Sequence, residues 1–329
     1  MAISTVVAGS NIGSYVSHPL HGEERTWPET NCYVDLWIEL LHAQGLEPLA
    51  CLGFTLGLDD EGDQYTFYKP PLMDLRALYG IEVQELNIWR PLTVHAAEQA
   101  ALGRVLMPEV DAFYLPDTAG VSYRNDHGKT TIGIASIDVE RGVLQYFHGR
   151  GLHTLGGNDF HGLFRIGEFA GDVSVLPPFA EIAKLDAARV LPTRVLVDRA
   201  MALARLHLAA APRTNPIARR AARVNDDLAW LRDQPLGVFH QYAFATVRQV
   251  GSCFDLTSAF LNWLEENGQQ GLSEAAAAFS RLSTEAKTVQ FKLARMARLK
   301  RDADIAPHMA QMVAAWDEGM SRLTDRFAH

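Results

Sequence analysis

The chain has 329 residues, of which 48% are apolar and 21% charged, with a net charge of −9. That is enough core-forming material for one large or two ordinary domains, and its acidity argues against a nucleic-acid partner, which would favour basic faces. No segment approaches the ~18 consecutive apolar residues of a membrane span, Met1–Leu20 lacks the basic-then-apolar pattern of a secretory signal, and three cysteines without a CxxC pair read as free thiols in a reducing cytoplasm.

The first clear element is a helix over residues 32–44. Tyr33, Leu36, Trp37, Leu40 and Leu41 fall at helical spacing, Thr30 or Asn31 can cap it, and Gly45 stops it. A second helix is predicted over 71–79, ended by Gly80. Strands are predicted at 64–68, 104–108, 112–115, 130–137 and 143–148, the last two joined by a turn over 138–142. At Pro177-Pro178 the composition changes. Glycine becomes scarce, and alanine, leucine and arginine dominate. Successive helices are predicted there: 193–210, one opened by Asn215-Pro216, then 238–250, 256–266, 273–301 and 305–327. The expectation is an α+β domain over 1–178 followed by a helical bundle over 179–329.

Cys32 is the sharpest chemical feature. A thiol in the first turn of a helix sees the positive end of the helix dipole and backbone N–H groups, which favour thiolate and can hold an oxyanion. Asp35 and Glu39 on the same helix oppose that effect. Read by position alone, Cys32 is equally a small buried hydrophobe. Cys51 and Cys253 lie in apolar stretches and read as structural. A cysteine nucleophile needs a base, and His127, between a polar loop and a strand, has the best context of twelve histidines. His148, His153, His161 and Asp159 share its neighbourhood, but their spacings match no common zinc signature, so no metal is expected. In the second half, His240, Phe244 and Arg248 share one helical stripe that suits an acceptor pocket. Residues 281–301 carry seven basic side chains against one acid, Glu285. Such a run is ordinarily a solvated face, and it also suits an acidic partner.

The order of a helix-borne cysteine and a distant strand-opening histidine is that of papain-like enzymes. Val110-Asp-Ala-Phe-Tyr-Leu-Pro116, His127-Gly-Lys-Thr-Thr and Val143-Leu-Gln-Tyr-Phe-His148 resemble the papain-like N-terminal domain of butirosin-biosynthesis-type acyltransferases over about residues 25–160. Over nearly its full length the chain resembles the domain-of-unknown-function family 1839, through Arg25-Thr-Trp-Pro-Glu-Thr-Asn-Cys-Tyr-Val-Asp35, Tyr146-Phe-His148 and 239–249. The resemblance implies a cysteine-peptidase-like fold, with Cys32 as nucleophile and His127 as base. It also implies transfer of an acyl or aminoacyl group from a carrier-protein thioester to a small-molecule amine. No cofactor is then needed beyond phosphopantetheine carried by the partner.

The third catalytic member departs from the pattern. Asp138 lies eleven residues after His127, roughly 30 Å along a continuous strand. The position of the family's closing Asp holds His148, which can orient an imidazole but stabilises imidazolium less than a carboxylate. Asn158, Asp159 or Asp111 can substitute. Asn31, Asp111, Asp159, His240 and Arg248 are the expected substrate-binding residues. Two alternatives stand beside acyl transfer: a thioesterase, amidase or peptidase using the same pair, and a non-catalytic binding module on a degenerate papain-like scaffold.

Overall fold

The apolar spacing predicted from residue 32 forms helix α1 (Cys32–Ala43), capped by the Asn31 side chain, which accepts the Val34 N–H at 3.0 Å. The computed structural model describes residues 4–5, 14–171, 176–299 and 304–327. The chain divides into two compact units. The first is Met1–Glu23, Asn31–Pro48 and Leu72–Val190, and the second is Glu24–Thr30, Leu49–Pro71 and Leu191–His329.

The first unit is α+β. Besides α1 it contains β1 (Ser4–Thr5), α2 (Leu72–Tyr79), β2 (Glu82–Glu85), α3 (Leu92–Ala101), β3 (Arg104–Asp111), β4 (Lys129–Thr131), β5 (Gly133–Asp138), β6 (Val143–His148), β7 (Gly151–Gly156), α4 (Asn158–Phe164) and β8 (Ala180–Lys184). Two four-stranded sheets have orders β1-β5-β6-β7 and β2-β8-β3-β4. Three local expectations change. Residues 64–68 form only an isolated bridge, Asp60 to Tyr65. The strands expected at 104–108 and 112–115 become one strand to Asp111, followed by a 3-10 turn over Ala112–Tyr114. The strand expected at 130–137 divides at Ile132, so β4 joins β3 while β5 joins β6. β8 lies beyond Pro177-Pro178, and its antiparallel pairing with β2 and β3 carries the first unit to residue 190.

β3 has two functional faces. Leu106 and Val110 enter a core with Ile132, Ile134, Tyr146 and Phe160. Val105 faces the other way, toward α1. A Cβ placed on Gly133 would lie 2.6 Å from Leu36 Cδ1 and 3.5 Å from Val105 Cγ1. Strand alternation puts Met107, Glu109 and Asp111 on this same α1 face. Tyr33 donates to Glu181 Oε2 at 2.7 Å, and Glu181 stands opposite Met107. Leu36 is therefore level with Val105, Tyr33 is near the level of Met107, and the N-terminus of α1 points toward the Glu109–Asp111 end.

α1 also buries charge. His21 Nδ1 meets Glu39 Oε1, and its Nε2 lies 3.4 Å from Asp35 Oδ1. Tyr15 donates its hydroxyl to Glu39 Oε2, and the His18 N–H donates to Glu39 Oε1 at 3.1 Å. His21, Asp35 and Glu39 are 4%, 2% and 0% exposed. Asp35 and Glu39 thus belong to a closed buried cluster. Burial alone would lower the His21 pKa, but its two carboxylate partners outweigh that and raise it to about 9.

The second unit is helical: α5 (Thr193–Ala210), α6 (Pro216–Leu231), α7 (Leu236–Ala243), α8 (Gln249–Glu266), α9 (Ser273–Leu299) and α10 (Ala306–Phe327). The helices expected at 238–250 and 256–266 meet differently, since a π-turn over Phe244–Arg248 joins α7 to an unbroken α8. Buried Arg220 of α6 holds Asp60 Oδ2 at 2.7 Å and the Asp63 carbonyl at 3.1 Å. Cys253 donates to the Thr55 carbonyl at 3.3 Å. These bonds fix residues 49–71 to this unit. Among the described residues no helix is long and apolar enough to cross a membrane.

Removing one member of a buried charge cluster costs about 3–5 kcal/mol, so His21→Ala should lower stability by that order at pH 6. Because the folded pKa is raised, the contribution is fully present below pH 6.5 and is lost as pH rises through about 9. Urea unfolding at pH 6, 7.5 and 9.5 should show the difference between wild type and variant shrinking in that order.

Candidate active site

β3 and β4 together position His127. Lys129 opens β4 opposite Asp111, and the Ala112 N–H donates to the Gly128 carbonyl at 2.8 Å, closing the loop between the strands. Asp111 caps the following 3-10 turn through Oδ1, which accepts the Phe113 N–H at 3.0 Å. Its Oδ2 is then aimed at His127 Nδ1, 2.6 Å away. The His127 ring stacks on Phe113, with centroids 4.4 Å apart and planes 10° from parallel. Held on an edge and a face, the ring keeps Nε2 without a hydrogen bond among the described residues. A carboxylate fixing Nδ1–H leaves Nε2 as the basic nitrogen, the arrangement a general base requires.

His127, Asp111 and Lys129 line a cavity of about 1110 Å³, whose other walls include Ile88, Leu92, Phe164 and Phe169. Cys32 is not among the lining residues. It is half-buried at the start of α1, and its sulfur has no hydrogen-bond partner among the described residues. Cys32 and His127 are therefore not bonded to each other. What relates them is the direction of α1, whose N-terminus points toward the end of β3 that carries Asp111.

His148 does not orient His127. Residues 146 and 148 of β6 share a face, and Tyr146 lies in the core away from α1. His148 Nδ1 meets Asp117 Oδ2, its Nε2 lies 2.8 Å from Thr130 Oγ1, and Tyr146 donates to Asp117 Oδ1. His153 donates to the His148 carbonyl at 3.0 Å. The unit thus holds two separate His–carboxylate pairs, Asp111–His127 and Asp117–His148. Burial pushes the Asp117 carboxyl up, but hydrogen bonds and charge from His148, with His153 and Tyr146, outweigh it and hold the group below its ordinary range.

The other expected residues are apart from His127. Asn31 spends its side-chain oxygen on the Val34 N–H. Asp159 accepts from Tyr123 at 3.0 Å and pairs with Arg124, so it anchors the loop before His127. Asp138 accepts the Arg141 N–H at 3.0 Å in the hairpin turn. His240 and Arg248 belong to the second unit, where the π-turn interrupts their expected stripe. Arg248 donates to the Thr30 carbonyl at 3.0 Å, while His240 is exposed. In the basic run, Arg281 pairs with Glu318 and Lys287 lies 4.0 Å from the centre of the Trp27 ring. Lys300 and Arg301 lie outside the described residues. Sequence reasoning missed Asp117 and Tyr146 as polar-site residues, since Asp117 meets His148 across 31 positions. Among the described residues no three His, Cys, Asp or Glu side chains converge as a metal site.

Residues 16–185 match the family model described as the DUF1839 N-terminal domain, and residues 193–325 match the DUF1839 C-terminal domain. No curated protein matches the chain.

Asp117→Asn should destabilise the protein by about 3 kcal/mol at pH 7, the order expected when a buried pair loses a partner. Because the Asp117 carboxyl is held below its ordinary value of 3.8, its contribution is present above that pH and is lost as pH falls through the folded value. Denaturation midpoints of wild type and variant should converge on acidification toward pH 3.

Proposed function

We propose that this chain, which belongs to the DUF1839 family, is a cysteine-dependent acyltransferase with Cys32 as nucleophile and the His127–Asp111 pair as its base. The observation that carries the reading is the 2.6 Å Asp111–His127 bond, at the end of β3 toward which the N-terminus of α1 is directed. A cysteine at the head of a helix packed on β4, β6 and β7, with the histidine just before β4, is the arrangement a papain-like domain requires. The carboxylate for His127 is Asp111, from the neighbouring strand.

In this reading Cys32 Sγ attacks a thioester carbonyl, and N–H groups of the first turn of α1 hold the oxyanion. Cys32 gives its Sγ proton to His127 Nε2 as it attacks; the S–C bond of the donor then breaks, and the leaving thiolate takes that proton from Nε2. An acceptor amine then attacks the acyl-cysteine, gives its proton to His127 and releases Cys32. The donor is the phosphopantetheine thioester of an acidic carrier protein. Exposed Arg295 and Arg298 on α9 are suited to meet such a partner. One observation favours hydrolysis instead: the His127 side chain is 67% exposed, so water reaches it.

An N-acetylcysteamine thioester should leave an acyl adduct on Cys32, read by intact mass and peptide mapping, that Cys32→Ala abolishes. His127→Ala and Asp111→Asn should slow acylation by about a hundredfold or more, the usual worth of general-base catalysis. Added amine should convert the adduct to amide, while release as free acid identifies the hydrolase. Acylation at an unchanged rate in His127→Ala, or no adduct, overturns the proposal.

A further inference from the structure

The cavity beside His127 carries charge that acyl transfer does not use. Three cations, Arg90, Lys129 and Arg165, line it against two carboxylates, Glu109 and Asp111. Both acids are engaged, Glu109 by Lys129 and Asp111 by His127. Arg90 pairs with Glu98, which is not part of the wall. Arg165 is different. Its side chain has no hydrogen bond or ion pair among the described residues. Its backbone at φ 54 and ψ 54 is left-handed, where it ends α4 through its N–H to the Gly162 carbonyl. A non-glycine residue is held there against steric preference, and its exposed cation stands at the wall of a cavity whose apolar lining includes Leu92, Leu163, Phe164 and Phe169.

We infer that this cavity binds an amphiphilic organic carboxylate, with its apolar body on those four side chains and its carboxylate at Arg165 and Arg90. An amine would have to displace Lys129 or His127 from its acid. An alcohol of the same length offers Arg165 no charge, whereas a carboxylate forms the paired contact a guanidinium favours. At about 1110 Å³ the space holds a medium-length chain or a ring system. The inference shares its location with the proposed function but not its chemistry, so it is tested by binding alone, in Cys32→Ala as well as wild type.

Isothermal titration of the full chain with octanoate, octanol and octylamine separates the headgroups at constant tail. Octanoate should bind about tenfold or more tighter than octanol, and octylamine should not bind. Arg165→Asn keeps a residue that tolerates the left-handed backbone. It should cut octanoate affinity about fivefold or more while leaving octanol unchanged. Equal binding of octanoate and octanol, tighter binding of octylamine, no saturable octanoate binding below about 10 mM, or an unaffected Arg165→Asn each overturns the inference. Acylation of Cys32 in the preceding experiment neither rescues nor sinks it.

Discussion

The burial of two carboxylates on α1 is the constraint around which the first unit is organised. Asp35 and Glu39 are carried into the interior on an otherwise apolar helix, and such groups are tolerated there only when paired and hydrogen-bonded. His21 sits between them, while Tyr15 and the His18 backbone complete Glu39. Because several partners must be met at once, the cluster restricts how α1 can rotate or slide, which packing of leucines alone would permit. The end of the helix that carries Cys32 inherits that restriction.

The second organising device is the alternation of β3 and β4. One face of β3 supplies Leu106 and Val110 to the core, and the other supplies Val105 to α1 and Asp111 to His127. On β6, Tyr146 and His148 share the core face, and His148 reaches Thr130 and Asp117 there. Two histidines that look interchangeable in sequence are thereby given different surroundings. His127 is solvent-facing on a cavity wall, and His148 is 8% exposed in a closed network. The first arrangement leaves a nitrogen available for chemistry, and the second spends both nitrogens on structure.

In the helical unit, polar bonds tie distant stretches of chain together. Arg220 reaches Asp60 and the Asp63 carbonyl, Cys253 reaches Thr55, and Arg25 reaches Asp255 at 2.6 Å. Burial pushes the Cys253 thiol well above its ordinary value, in keeping with a structural cysteine. These contacts explain why residues 24–30 and 49–71 belong with helices beyond residue 190 despite preceding most of the sheet. Composition alone divides the chain once and cannot show this interleaving, because it averages over neighbours in sequence.

By itself the sequence determined what depends on local periodicity and on residues acting within a turn. α1 with a cap at Thr30 or Asn31 and its Gly45 stop, the β5–β6 hairpin, and the helices from Thr193 onward, apart from the α7–α8 junction, were legible there. So was the family, from motifs along the chain. Short strands such as β2, β7 and β8 were not, since each is stabilised by its neighbours more than by its own pattern. The partner of His127 was narrowed by sequence only to a set containing His148, Asp159 and Asp111. Tertiary structure decided among them, because a strand's register fixes the face of every side chain it carries. That register set Asp111 beside His127 and turned His148 toward Asp117.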